Sequence, residues 1–206
     1  MLKRWLLFCG ILALLVRVAA DVLAAYWYPG YSFWNQTMSQ LAAIGAPTRD
    51  LQMVLLAVFG VLIIAFGVGV GMSAGKKRSL KIAGIIIIIF GITGLIALAF
   101  PQTAMQLNGG LEAQNVHIVV TVASVLLIIL FIGFGAAAYG AIVRLYSAAT
   151  VIIMHLFGYL AAAKAPHAVD FAAPGMGTLE RICYYSYLLW IAVFVALLLR
   201  KKVQKN

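Results

Sequence analysis

The residues of this chain whose types could do chemistry are Arg17 and Asp21, His117, and the pair Glu180-Arg181, because each falls inside or beside a long apolar run. An ionisable group in hydrocarbon costs free energy unless it faces protein, water or a ligand, so such groups mark sites. Arg17 and Asp21 are four apart, share a helix face and are expected to form a structural ion pair. Gln114, His117, Thr121 and Ser124 make a polar stripe at helical spacing, and Tyr184 and Tyr187 continue the face of Glu180. His117, Glu180 and Arg181 are expected to converge on one outward-facing pocket.

Three chemistries suit these types. In the first, Arg181 and Arg49 hold the anionic headgroup of a lipid or amphiphile, with Gln114, His117, Thr121 and Tyr184 lending hydrogen bonds and Asp21 and Glu180 balancing the cations. Phosphate is the natural group. In the second, His117 with Glu180 or Asp21 activates water, directly or through a metal, as a lipid hydrolase or transferase would, so these three are the catalytic candidates. His117, Asp21, Glu180 and His167 have metal-ligand types but no ligand spacing, and no metal is expected. In the third, Asp21, His117 and Glu180 relay protons in a small transporter acting as a dimer. Against all three stands a structural reading in which Glu180 simply sits on the positive end of a helix. No cofactor is identified: His155 has no second histidine at matching depth, Cys-x-x-Cys-His is absent, and so are the Gly-x-Ser-x-Gly, Walker and His-Glu-x-x-His signatures.

The elements that must position these groups are helices. Six apolar runs, near residues 5–26, 51–72, 82–100, 116–138, 146–163 and 179–199, each approach the roughly 20 residues needed to cross a bilayer. With 65% hydrophobic residues, 10% charged residues and a mean hydropathy of +1.08, the chain is no soluble domain. The expected fold is therefore all-α, one polytopic six-helix transmembrane domain covering residues 1–206.

A net charge of +10 would suggest nucleic acid were the charges not sorted. Lys3, Arg4, Lys76, Lys77, Arg78, Lys81, Arg144, Arg200, Lys201, Lys202 and Lys205 all fall on one side of a six-pass chain, with no acid among them. Both termini are then cytoplasmic, in a plasma (cytoplasmic) membrane, and the expected partners are membrane lipids and, as an option, a second copy of the chain, not nucleic acid. Lys3-Arg4 and Val18-Ala19-Ala20 also resemble a secretory signal, but apolar residues continue past Asp21 and a retained first helix is expected.

Residues 26–50 read as a structured external cap between helices one and two. Its aromatics suit the membrane interface, Pro29-Gly30 breaks the first helix, and residues 35–44 have the pattern of a short interfacial helix. The Asn35-Gln36-Thr37 sequon reads as a chance match there, and residues 101–115 read as the more mobile loop. Gly67 and Gly71, with Gly84, Gly91 and Gly94, are expected to serve close packing of helices within the chain.

An ordered set of motifs adds a resemblance that spans nearly the whole chain. Tyr28-Pro29-Gly30-Tyr31, Ser39-Gln40-Leu41, Gly45-Ala46-Pro47-Thr48-Arg49, Phe100-Pro101, His117 and Gly177-x-x-Glu180-Arg181 together resemble the six-helix membrane family called domain of unknown function 998. That family often carries an acid at the position of Gln40 and two places after the proline, where Thr103 stands here. These departures weaken any metal or acid–base role at those two positions. A more distant similarity of fold class is to the eukaryotic DRAM-like six-helix proteins, linked to lipid handling and autophagy. The resemblance implies architecture more than activity.

Overall fold

The computed structural model describes residues 1–100, 110–165 and 172–200, without the side chains of 110–115 and 117. All six apolar runs are helical: α1 (Leu2–Trp27), α2 (Arg49–Met72), α3 (Arg78–Ala97), α4 (Gly110–Ala137), α5 (Ala141–Ala162) and α6 (Met176–Arg200). Each is long and apolar enough to cross a membrane. No strand occurs among the described residues, only an isolated bridge between Gln36 and Ala172.

The helices run longer than their apolar cores suggest. α5 begins at Ala141, after Gly140, and not near Tyr146, so Arg144 lies in its first turn instead of in the preceding break. Arg78 and Lys81 likewise open α3. Long basic side chains keep their heads in water while their backbone stays helical, which hydropathy alone misses. At the other end of α3 the helix stops at Ala97, short of Phe100, as the approach to Pro101 disfavours helical backbone.

Small residues set the closest helix contacts. A Cβ on Gly84 would lie 2.9 Å from the Gly67 carbonyl oxygen and 2.8 Å from the Gly71 nitrogen, and one on Gly91 would lie 3.0 Å from the Gly60 oxygen. Without a hydrophobic drive between helices in lipid, this backbone approach is what brings α2 and α3 together. Gly94 meets nothing within 4 Å and takes no part. Gln52 of α2 donates to the Ala20 carbonyl of α1 at 2.8 Å, and Trp190 of α6 donates to Ser147 Oγ of α5 at 2.8 Å. The basic half of the bundle is filled by Phe66, Phe131, Trp190 and Phe194, packed mostly edge to face. Lys77 closes that end by donating to the Ala138 carbonyl at 2.6 Å, where the negative end of α4 favours a cation.

At the opposite end, residues 28–48 fold back over the helix ends. The expected helix over 35–44 is only a short 3-10 helix, Met38–Ala42. Polar side chains hold the segment: Tyr31 Oη lies 2.8 Å from the Thr37 oxygen and 3.1 Å from the Gln36 oxygen, and Gln36 Oε1 accepts from the Ser32 amide at 2.7 Å. Gly30, with φ +77, makes the left-handed turn that starts it. Asn35 then joins the segment to the lead-in of α6, its Oδ1 accepting from the Gly175 amide and its carbonyl from the Ala173 amide. The sequon asparagine is thus part of the packing.

Candidate functional site

Two neighbouring groups of polar residues lie between α1 and α6 beneath this capping segment, and their chemistry differs. The first is centred on Arg181, which helix α6 delivers one turn after its start. Arg181 Nε donates to Asp21 Oδ2 at 2.9 Å and Nη2 to Oδ1 at 2.8 Å, a two-point pair in which Arg181 is 3% and Asp21 0% exposed. Nη2 also donates to Tyr31 Oη at 2.7 Å. Nη1 reaches the carbonyls of Phe33, Gln36 and Gly177 at 2.8, 3.0 and 3.1 Å. The hydroxyl of Tyr185 donates to Asp21 Oδ2.

Every nitrogen of this guanidinium is therefore engaged by protein, and its flat fork matches the carboxylate on one side and the capping segment on the other. Gly177 makes the arrangement fit. A Cβ there would stand 2.1 Å from the Gln36 oxygen and 2.8 Å from the Phe33 oxygen. Glu180 adds a second tie by accepting the Met38 amide. Around the same node, burial pushes the Tyr31 hydroxyl up to about 12 despite the opposing pull of Arg181, so the phenol is neutral at ordinary pH.

The ion pair expected between Arg17 and Asp21 is replaced by one between Arg181 and Asp21. Spacing of four on one helix brings two side chains to the same face, yet a carboxylate on that face also meets the facing helix, and here α6 offers a better-matched fork. Arg181 consequently has no N–H left for a headgroup.

Arg17 belongs to the second group. It is 5% exposed, its guanidinium carbon lies 4.7 Å from the centre of the Tyr184 ring, and Nε and Nη1 have no hydrogen-bond acceptor. The Tyr184 and Tyr187 rings meet at a tilt with centroids 4.8 Å apart, and the buried Tyr187 hydroxyl also lacks a partner. Glu180 and Tyr187 are within electrostatic range of Arg17. Two guanidinium groups and two carboxylates balance in charge, but hydrogen bonding does not balance: donors are left over. An acceptor-rich group is what this corner lacks.

The remaining sequence candidates are scattered. Arg49 opens α2 half-buried, with Nε unpartnered, and Thr121 is exposed on α4. The side chains of Gln114 and His117, and residues His167 and Thr103, lie outside the described residues, so the convergence of His117 with Glu180 and Arg181 does too. Among the described residues no three of His, Cys, Asp and Glu group as metal ligands would. His155 on α5 does not pair with Tyr159; its Nδ1 bonds the Val151 carbonyl at 2.8 Å. Tyr31 and Tyr185, which complete the Asp21 node, were missed in the sequence. The Tyr28–Tyr31 motif and the i+4 relation of Tyr185 to Arg181 are signals that could have found them.

Six membrane-crossing helices with ionised residues held between α1 and α6 define a multi-pass integral membrane protein. The family described as "Protein of unknown function (DUF998)" matches residues 11–197, and the chain belongs to it. No curated protein and no solved structure matches the chain.

Proposed function

We propose that this protein holds the headgroup of a lipid or amphiphile at Arg17, in the outward-facing half of the bundle, under the cap formed by residues 28–48. The observation that carries this reading is the surplus of donors: Nε and Nη1 of Arg17 and the hydroxyl of Tyr187, all buried and all without acceptors. A buried, unbonded donor costs on the order of 1–3 kcal/mol, more when charged, and three together call for a ligand rich in acceptor oxygens. Phosphate and carboxylate supply these, and the guanidinium fork favours them. Arg17 lies ten residues before the end of α1, about 15 Å below the cap at 1.5 Å per residue, so the ligand enters the bundle instead of resting on its rim.

The sidedness comes from charge. Among the described residues, eight basic residues and no acids lie at the end opposite the cap, which supports an orientation with that end and both termini in the cytoplasm and the cap outside. The Asp21–Arg181 node is the fixed wall of the site, holding the cap while Arg17 binds.

Purification of the full chain in a mild detergent, followed by lipid extraction and mass spectrometry, tests the binding. An acidic phospholipid or fatty acid at near-stoichiometric amount, lost in Arg17→Gln and retained in Arg49→Gln, is the expected result. Equal lipid recovery from wild type and Arg17→Gln would overturn it.

A further inference from the structure

The outer face of α5 carries polar groups that no other described residue uses. Helix α5 packs on α6 and only lightly on α4, so most of its surface is free, and His155 and Tyr159 both lie on that surface, Tyr159 72% exposed. His155 is seven residues from the end of the 22-residue helix, about 10 Å inside it and well within the hydrocarbon. Its Nδ1 bonds the Val151 carbonyl, and a carbonyl partner makes Nδ1 the protonated nitrogen, so Nε2 is left as an acceptor facing outward. Tyr159 makes no hydrogen bond among the described residues. One acceptor and one donor, a turn apart, thus face lipid, which can satisfy neither.

The residues around them form a seam. Leu145, Ala148, Ile152, His155, Tyr159 and Ala162 follow alternating steps of three and four, the spacing by which one helix packs along another, and all six are exposed. Two of the six are alanines, which let backbones approach.

We propose that α5 is the contact helix of a homodimer, with a second copy of this chain as its occupant. The argument for a second copy, over a different protein, is depth. Two copies inserted with the same topology are related by a two-fold axis along the membrane normal, so their identical residues lie at identical depths. His155 and Tyr159 of one copy then face Tyr159 and His155 of the other. Helical side chains lean toward the N-terminus, which carries the Tyr159 hydroxyl back to the level of His155. Each Tyr159 donates to the Nε2 of His155 across the axis, and two equivalent bonds close at once.

Disulfide crosslinking in native membranes tests this, with the full chain carrying Cys9→Ser and Cys183→Ala and a single new cysteine at each of four positions. Oxidation should yield covalent dimers from Leu145→Cys and Ile152→Cys but not from Val54→Cys on α2 or Ile89→Cys on α3, which are exposed as well. In parallel, Tyr159→Phe and His155→Leu should each weaken dimerisation in lipid nanodiscs by about tenfold, read by single-molecule photobleaching, with thermal stability of the monomer unchanged. Crosslinking without preference for the seam, or a chain that is monomeric in lipid at every density tested, overturns the proposal. Seam crosslinking with unaltered affinity in both variants overturns the hydrogen-bond pairing.

Discussion

Removing the Arg181 guanidinium should cost the protein a large part of its stability, and removing Asp21 with it should restore much of the loss. Arg181→Met leaves a carboxylate of zero exposure with only the Tyr185 hydroxyl as partner, and strips the Phe33, Gln36 and Gly177 carbonyls of their shared donor. Breaking one side of a buried pair costs ~3–5 kcal/mol, and the Phe33 carbonyl adds to that where water cannot reach it, while the Gln36 carbonyl keeps the Tyr31 hydroxyl. We expect ~4 kcal/mol or more, which for a chain of this size lowers the melting temperature by roughly 10 °C. Asp21→Leu with Arg181→Met removes both charges, so the coupling between the two positions should be about 3 kcal/mol. Arg17 sets the contrast. It shares no salt bridge with Asp21, and the same cycle on Arg17→Met and Asp21→Leu should give less than about 1 kcal/mol. Thermal unfolding of the six proteins in one detergent, followed by tryptophan fluorescence, measures both couplings. Additive losses for Asp21 and Arg181, or a larger coupling for Arg17 with Asp21, would refute the assignment of the ion pair.

Gly177→Ala should loosen the cap without removing any charge, because its methyl would stand 2.1 Å from the Gln36 oxygen and 2.9 Å from Arg181 Nη1; overpacking of this kind costs ~1–3 kcal/mol and should make residues 28–48 accessible to protease before α2 unfolds. Tyr31→Phe should matter less as pH rises. The hydroxyl of Tyr31 has a folded pKa of about 12 against about 10 when unfolded, so its contribution is complete below pH 10 and is lost as pH climbs through 12. The stability gap between wild type and Tyr31→Phe should shrink over that window by up to ~2 kcal/mol, as measured by chemical unfolding at each pH. A gap that widens instead would mean that the phenol ionises more readily in the folded state.

The six helices were legible because length and hydropathy are one-dimensional properties, and so was the close packing of Gly67 and Gly84, whose only alternative was packing between chains. Their ends were less legible: Arg144 belongs to a helix that hydropathy begins at Tyr146. Which charges meet was harder still. Arg17 and Asp21 satisfy the i, i+4 rule, yet Arg181, 160 residues from Asp21, takes the carboxylate. Local spacing says which side chains share a face and nothing about what the facing helix presents. The family motif Gly177-x-x-Glu180-Arg181 held the missing information in coded form, since Gly177 admits the cap carbonyls and Arg181 binds them. Hydrogen-bond saturation, the property that separates Arg181 from Arg17, has no sequence signature at all.

The most direct measurement is an experimental map of the protein in lipid nanodiscs containing acidic phospholipid, at a resolution that shows side chains and bound headgroups. A branched, phosphate- or carboxylate-sized feature within hydrogen-bonding distance of Arg17 Nε and Nη1 and the Tyr187 hydroxyl, continuous with an acyl tail leaving the bundle, is the predicted result. Ordered water alone on these three groups, or Arg17 turned to pair with Glu180, would contradict headgroup binding and leave the bundle with a structural charge at its centre.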